Sequence, residues 1–299
     1  MLRDAFKSYL ELEKNYSPHT VLAYTRDLDF FREFMEEAYE FDPADPEELD
    51  AVTHRMIRSW MGDMMEQGIS KRSVARKIAS LNHWYKWLLK TGKIEANPAR
   101  KVTVPKYEKK LPAFLKEGSI ETLFENVEYP DSLEGKRDRA ILEVFYSCGL
   151  RRSELIGLKH VDIDFHNRTL KVLGKGRKER MIPFGEPAEL AMKAYMQAAT
   201  AEGFDYKEHF FVNEKNGKPI TANKVYKIVE FYLKQSCTLS KTSPHVLRHT
   251  FATHLLNNGA DLNAIKELLG HTSLAATQVY VHNSIQKLKN VYNQAHPKA

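Results

Sequence analysis

The chain has 299 residues, 42% hydrophobic and 28% charged, so it is long enough for two domains with separate cores. No apolar run approaches the roughly 20 residues needed to cross a bilayer, and the first residues lack the apolar stretch of a secretory signal. The two cysteines lie far apart in the sequence, which argues against a disulfide framework and a zinc knuckle. These features predict a cytoplasmic protein with no membrane segment.

The charge of the chain permits a nucleic-acid partner without requiring one. The net charge is +6, with a pI near 9.0. Residues 1–50 contain 14 acidic and 5 basic side chains, whereas residues 51–100 contain 3 acidic and 10 basic ones. The basic stretch is either a phosphate-binding surface or a set of solvated helix faces.

Helical patterns fill the first hundred residues. Ser17-Pro18 supplies an N-cap and a first-turn proline ahead of apolar residues at helical spacing. A second helix is expected over 53–66, and a third begins at Ser70 and reaches Lys90. The first two turns of the third helix are crowded with basic side chains, which make a candidate DNA-binding face: Lys71, Arg72, Arg76 and Lys77.

The segment 97–112 marks a domain boundary. It has three prolines, five Lys or Arg residues and no helical stripe, a composition typical of a linker. We therefore divide the chain into a helical DNA-binding domain over 1–98, a basic linker over 99–112 and a second domain over 113–299. A basic linker suits a two-domain clamp around DNA, with Lys106 as a candidate contact, although linkers are also charged simply for solubility.

The second domain combines helices with a few strands. Helices are expected at 116–125, at 136–147 and from Arg152 onward. Alternating apolar residues from Val161 to Phe165, at 169–173 and at 180–184 predict a small antiparallel sheet around the turn GKGRKE. Further helices are predicted over 222–236, 244–257, 262–269, 273–281 and 285–294. The predicted fold class is therefore mainly α with a small antiparallel β-sheet in the C-terminal domain.

Two segments place arginines where phosphate chemistry needs them. In GLRRSELIGL (149–158), Arg151 opens a helix, and a guanidinium can donate to two phosphate oxygens at once. Arg152 competes for this role, while Glu154 either holds an arginine or complements the helix dipole. In SPHVLRHTFATHLL (243–256), His245 and Arg248 are three residues apart and share one face of a helix start.

Two further segments supply a lysine, a histidine and a tyrosine. In VLGKGRKER (172–180), Lys175 lies between two glycines of a tight hairpin, which either approaches DNA or is a solvated tip. Arg177 beside it is a candidate DNA contact. LLGHTSLAATQVYVH (268–282) carries His271 at a helix end and Tyr280 on the next helix. A tyrosine hydroxyl has a pKa near 10, so as a nucleophile it needs positive charge or a base nearby.

The segments GLRRSEL, GKGRKER, PHVLRH and LLGHTSLAATQVYVH resemble, in order and spacing, those of the tyrosine recombinases. Nearly the whole chain resembles their Xer branch, including the phrases SPHTVLAYTRDL and HTFATHLLNNGADL. The resemblance implies a site-specific enzyme that cuts and rejoins DNA through a 3'-phosphotyrosyl link, with Tyr280 as nucleophile. It also implies a set of catalytic residues around that tyrosine: Arg151, Lys175, His245, Arg248 and His271.

The expected chemistry needs no metal and no cofactor. Two fixed guanidiniums would stabilise the charge that develops on the phosphate, and the sequence has neither a carboxylate cluster for magnesium nor a Walker loop. On this hypothesis Lys175 protonates the leaving 5'-oxygen, His245 helps to move the proton of Tyr280, and His271 donates to a phosphate oxygen.

The Xer resemblance implies particular partners. They are double-stranded DNA with paired recombination sites, a homo- or heterotetramer of protomers that can include a second Xer-type recombinase, and a septal DNA translocase as regulator. The apolar residues of 285–292 either dock on a neighbouring protomer or pack on their own domain. Dimer resolution is the expected role, with a mobile-element integrase or an invertase as alternatives. A type IB topoisomerase and a non-catalytic DNA-binding protein are the competing classes.

Overall fold

The structure, a computed structural model, describes residues 2–45, 48–107, 113–174, 179–239, 242–270 and 281–299, with residues 281–287 described by their backbone alone. The chain divides into two compact units, Met1–Lys110 and Leu111–Ala299, each with its own hydrophobic core. The predicted class is confirmed, since helices dominate and the described strands form one small antiparallel sheet. No described helix has the length and apolar character that a membrane crossing demands. The proposed domain bounds and the clamp stay predictions.

The first unit is a helical bundle whose helix starts follow the sequence signals. Its helices are α1 Leu2–Ser8, continued by a π-helical turn Tyr9–Glu13, α2 Pro18–Tyr39, α3 His54–Glu66 and α4 Lys71–Lys90. At α2, α3 and α4 the side chain of Ser17, Thr53 or Ser70 accepts a hydrogen bond from the backbone N–H three residues on. The predicted N-cap at Ser17 is therefore confirmed, and the helices expected from 53 and from 70 also begin at a capping hydroxyl.

A buried carboxylate joins α2 to α4. Asp27 accepts hydrogen bonds from both terminal nitrogens of Arg76, from Ser80 Oγ at 2.8 Å and from Lys77 Nζ at 3.3 Å. The Lys77 ammonium also lies 4.1 Å from the centre of the Phe30 ring. Because a buried carboxylate needs these partners, Arg76 and Lys77 hold the bundle together whatever else they bind.

The first unit extends past residue 98. A 3-10 turn, Pro98–Lys101, buries Ala99, and Val102 and Val104 pack against the same core. The early part of the expected linker thus belongs to the folded unit, and residues 108–112 lie outside the described residues.

The second unit contains most of the described helices. They are α5 Glu117–Glu121, continued by a π-helical turn Thr122–Asn126, α6 Leu133–Cys148, α7 Arg152–Ile156, α8 Glu186–Ala201, α9 Ala222–Ser236, α10 Pro244–Asn257, α11 Leu262–Leu269 and α12 Val281–Ala295. The predicted bounds of α9, α10 and α11 are confirmed. Val281 is the first described residue of α12, and the rest of the helix expected over 273–281 lies outside the described residues.

Helix α8, which packs against α6, is not among the helices predicted from the sequence. Its buried apolar side chains recur at intervals of one, three and four residues: Ala188, Ala191, Met192, Tyr195 and Ala199. Gly185 precedes the helix, and Pro187 occupies its first turn. A helix start and an apolar stripe are therefore present in the sequence. The stripe is weak, because most of its residues are alanines, which contribute little apolar area.

The sheet is a three-stranded antiparallel meander of β1 Ile163–Asp164, β2 Thr169–Leu173 and β3 Glu179–Pro183. Leu170 pairs with Ile163 on one side and with Ile182 on the other, so the three side chains share the buried face. The first strand is shorter than predicted, because Val161 lies in a 3-10 turn and is exposed. The residues between β2 and β3 are those predicted to turn, and 175–178 lie outside the described residues.

Helix α12 packs on its own unit. Leu288 and Tyr292 are buried in the core, and Val291 packs against it. Beyond the helix, the buried His296 ring stacks on Tyr292 with centroids 4.6 Å apart, and burial lowers the pKa of His296 to about 3. The apolar residues of 285–292 are expected from the sequence either to pack on their own domain or to dock on a neighbouring protomer. The described ones pack on their own domain, and docking on a neighbour stays a prediction.

Candidate active site

Arg151 is placed by a tight turn between α6 and α7. Gly149 ends α6 with φ +58°, and a Cβ there would lie 2.5 Å from the Phe251 ring, so the turn requires glycine. Arg151 then caps the first turn of α7, where its own N–H donates to Glu154 Oε2 at 2.8 Å. Its side chain is 34% exposed, which leaves the guanidinium open to a ligand.

Glu154 lies between two arginines. It accepts from Arg151 Nη1 at 2.7 Å and from Arg180 Nη1 and Nη2 at 2.9 Å each, and its side chain is 3% exposed. Burial alone raises the pKa of the Glu154 carboxyl, but the hydrogen bonds from Arg180 and Arg151 hold it below its usual value. Two roles are expected for Glu154 from the sequence, and the structure shows the one in which its carboxylate holds an arginine.

Arg248 is the most buried member of this cluster. It extends from the first turns of α10, is 7% exposed, and donates from Nη1 to the Gly149 carbonyl and from Nη2 to the Leu269 carbonyl, both at 2.6 Å. Burial, together with the nearby charges of Arg151 and Arg180 and opposed by Glu154, lowers its pKa to about 10. Arg248 nevertheless remains a cation at neutral pH.

Three consecutive carbonyls at the end of α11 gather the three arginines. Leu268 O accepts from Arg180 at 2.8 Å, Leu269 O from Arg248 and Gly270 O from Arg151 at 3.0 Å. The last carbonyls of a helix have no partner within it and carry its negative dipole end, so cations bind there readily. The C-terminal end of α11 is thus fixed to both candidate catalytic arginines, immediately before the segment 271–280.

The histidines of α10 have different environments. His245 is exposed on the first turn, three residues ahead of Arg248. His249 is half-buried, and burial followed by the charge of His245 lowers its pKa. His254 is buried, donates to the Leu115 carbonyl at 2.8 Å and accepts from the Tyr146 hydroxyl at 3.0 Å, which makes it a core residue. Of the three, His245 is the one open to a substrate.

Arg152 lies apart from the cluster. It is exposed and donates to the Ala222 carbonyl at the start of α9, with a distance of 3.4 Å. The structure therefore brings Arg151, and not its neighbour, together with Arg248.

Arg180 is the residue of this site that sequence reasoning missed. It lies on β3 two residues before Ile182, and side chains two apart on a strand share a face. Since Ile182 is buried, the available signal was an arginine facing the core of the domain.

Four sequence-predicted residues lie outside the described residues: Lys175, Arg177, His271 and Tyr280. Their neighbours in the chain are described. Strand β2 ends before 174–178 and β3 begins after it, and in the same way α11 precedes 271–280 and α12 follows it. Among the described residues no group of three or more His, Cys, Asp or Glu side chains is arranged to hold a metal ion.

The candidate DNA-binding residues of the first unit fall into two groups. Lys71 and Arg72 are exposed on the first turn of α4, and Lys106 is exposed beyond the unit's core. Arg76 and Lys77 are the partners of Asp27 described above, although about half of the Arg76 side chain remains exposed. Lys71, Arg72 and Lys106 thus differ from Arg76 and Lys77, which the fold needs as partners of Asp27.

Comparison with known families gives the chain a class. The phage integrase family matches residues 113–287, and the phage integrase N-terminal SAM-like domain matches residues 4–92. A curated relative from Chlorobaculum tepidum, named tyrosine recombinase XerC, is 40% identical and covers 98% of this chain and 94% of its own. The protein of that name from Bacillus subtilis strain 168 is 37% identical, over 98% and 95%.

Solved structures share the fold. XerH site-specific recombinase, bound to a palindromic difH substrate in a post-cleavage complex, gives a TM-score of 0.70 at 22% identity, covering 93% of this chain and 80% of its own. The Tn1549 transposon integrase in complex with a circular intermediate DNA gives 0.70 at 21% identity, covering 97% and 98%. The chain belongs to the phage integrase family. Within that family it is a site-specific tyrosine recombinase, as the sequence motifs predict, and the two relatives described above are named XerC.

Proposed function

We propose that the chain resolves chromosome or plasmid dimers in the cytoplasm by cutting and rejoining paired DNA sites through Tyr280. The observation that carries this proposal is the convergence of Arg151, Arg248 and Arg180 on the end of α11, directly before the segment that contains His271 and Tyr280. Curated relatives named XerC cover almost the whole chain, which favours the Xer role over that of a mobile-element enzyme.

The proposed roles follow from the chemistry of phosphoryl transfer. In-line attack by the Tyr280 oxygen on the scissile phosphorus forms the phosphotyrosyl bond and breaks the bond to the 5'-oxygen, which leaves as a hydroxyl. Arg151 and Arg248 stabilise the nonbridging oxygens, whose charge grows in the transition state. Lys175 protonates the leaving oxygen, His245 helps to move the tyrosine proton and His271 donates to the phosphate. The reverse attack by a 5'-hydroxyl of the partner duplex rejoins the strands without a cofactor.

The proposed partners are double-stranded DNA, three further protomers in a synapse of two sites, a second Xer-type recombinase and a septal DNA translocase. XerH is a relative by fold that was solved on its difH substrate. For this chain, net positive charge at the site supports binding to a polyanion, because the described cluster has three guanidiniums around one carboxylate.

Plasmid resolution tests the proposed function. The substrate carries two directly repeated copies of a site that the protein selects from random-sequence duplexes, and one copy of the site is the matched control. We expect two smaller circles from the two-site plasmid and no change in the single-site plasmid, measured by restriction mapping of the products. Relaxation of the single-site plasmid would show a topoisomerase instead, and recombination confined to non-identical site pairs would show an integrase.

The exposed residues at the start of α4 allow a sharp test of DNA binding. Replacing Lys71 and Arg72 with alanine should weaken binding and reduce the slope of log affinity against log salt by about 1 to 2, since each lost phosphate contact removes roughly 0.9. Fluorescence anisotropy with a duplex at several salt concentrations measures the slope.

The matched control removes two exposed basic side chains from the other end of the same helix, Lys86 and Lys90. This control should keep the slope of the unaltered protein. Equal slopes for the two double variants would mean that general charge, and not the face of Lys71 and Arg72, governs binding.

A further inference from the structure

The hydrogen bonds of Arg180 go to other groups of the protein, as expected for a residue that positions its neighbours and not for one that binds a ligand. Its Nε donates to the Leu268 carbonyl, its two terminal nitrogens donate to the two oxygens of Glu154, and its side chain is 11% exposed. Arg151, which shares the same carboxylate, is three times as exposed. The geometry therefore directs the hydrogen bonds of Arg180 into the protein and leaves Arg151 facing outward.

The sharing of Glu154 decides how much positive charge Arg151 retains. Glu154 receives both the backbone N–H and the guanidinium of Arg151, so as the only partner it would neutralise that arginine. The bidentate pair with Arg180 draws the same carboxylate charge toward a second cation. One negative charge is then divided between two guanidiniums, and Arg151 keeps the charge with which it binds a phosphate oxygen.

The backbone around α11 is built to admit Arg180. Gly270 ends the helix with φ +63°, and a Cβ on it would lie 2.9 Å from Arg180 Nη1. Gly270 also presents its carbonyl to Arg151. Arg180 consequently holds two groups that also contact Arg151: the Glu154 carboxylate and the backbone at the end of α11.

We propose that Arg180 is a positioning residue for strand cleavage: it holds Glu154 and the end of α11 so that Arg151 stays aligned and charged beside the scissile phosphate. This inference rests on the proposed function, in which Arg151 stabilises the transition state. It predicts that Arg180 affects the rate of the chemical step and not the affinity for DNA.

The test measures single-turnover cleavage of a nicked duplex that carries the selected site, with both the rate constant and the end point recorded. Arg180→Gln should lower the rate constant about 10- to 100-fold, the range found when a residue that orients a metal ligand is removed and applied here to a residue that orients an arginine. The end point and the DNA affinity should change less than twofold. Arg180→Lys, which keeps the charge but cannot form the bidentate pair, should recover only part of the rate.

Two comparisons separate positioning from a general loss of structure. Arg168→Gln removes another arginine of the same unit that pairs with a glutamate, Glu189, and should leave the rate unchanged. The double variant Glu154→Gln/Arg180→Gln should be no slower than the slower of its two single variants, because both changes act through one carboxylate.

The proposal is wrong if Arg180→Gln cleaves at the normal rate, if it lowers only the end point, or if the losses in the double variant multiply. Tyr280→Phe and Arg151→Ala are measured beside it. If those two variants also cleave normally, the proposed function has failed. If they are inactive while Arg180→Gln is normal, only the role of Arg180 has failed.

Discussion

Changing Tyr280 to phenylalanine should abolish the covalent protein–DNA complex and lower the cleavage rate at least about a thousandfold, as expected when the nucleophile of a covalent mechanism is removed. Phenylalanine keeps the ring but lacks the oxygen that bonds to phosphorus. Arg151, Arg180 and Arg248 all bind carbonyls of residues 268–270, which directly precede in the sequence the segment that carries Tyr280. Positive charge beside a tyrosine favours its ionised form, and the proposed function requires that arrangement at Tyr280.

A duplex with a nick near the cleavage position makes this measurement possible, because the short strand diffuses away and the complex accumulates. The complex is counted on a denaturing gel. Tyr226→Phe is the matched control: it removes a hydroxyl from another tyrosine of the same unit and should form the complex normally. A complex that persists with Tyr280→Phe would show that another residue is the nucleophile.

Arg151→Ala should reduce strand cleavage about 100- to 1000-fold, the cost of removing one group that stabilises a developing oxyanion. DNA affinity should fall little, since many other phosphate contacts remain. The matched control is Arg152→Ala, which removes the same side chain one residue later, where the guanidinium is exposed and donates to the Ala222 carbonyl at 3.4 Å.

Single-turnover cleavage and an anisotropy titration on the same duplex distinguish the outcomes. Arg152→Ala should cleave at a rate close to that of the unaltered protein. The reverse result, loss of cleavage with Arg152→Ala and not with Arg151→Ala, would contradict the assignment and move the catalytic role to the next residue.

The sequence predicts the helices of this chain best where a cap and a strong apolar stripe occur together. Ser17, Thr53 and Ser70 each begin a helix as predicted, because a hydroxyl that accepts from the third N–H is a local signal. Helix α8 has its signal in small alanines and was missed. Val161 was assigned to a strand by alternation alone, while the chain forms a tight turn there.

The candidate site shows a similar division. The motifs predict Arg151, Arg248 and His245 as site residues, because their spacing in the sequence is characteristic of the family. They do not predict Arg180, because its hydrogen bonds reach a carboxylate 26 residues away and a carbonyl 88 residues away. Contacts of that kind are fixed by tertiary packing, and a single sequence does not display them. The catalytic roles of all six motif residues remain predictions: Arg151, Lys175, His245, Arg248, His271 and Tyr280.

The lowered pKa of Arg248 links catalysis to folding. A shift from 12.5 to about 10 in a group that is 7% exposed means that the folded protein bears a cost of roughly 3 kcal/mol at neutral pH for keeping this cation inside. On the proposed function, a DNA phosphate beside the guanidinium would offset part of that cost, so DNA binding should stabilise the folded protein. The free protein would then give up stability to keep in place a cation that the substrate helps to balance.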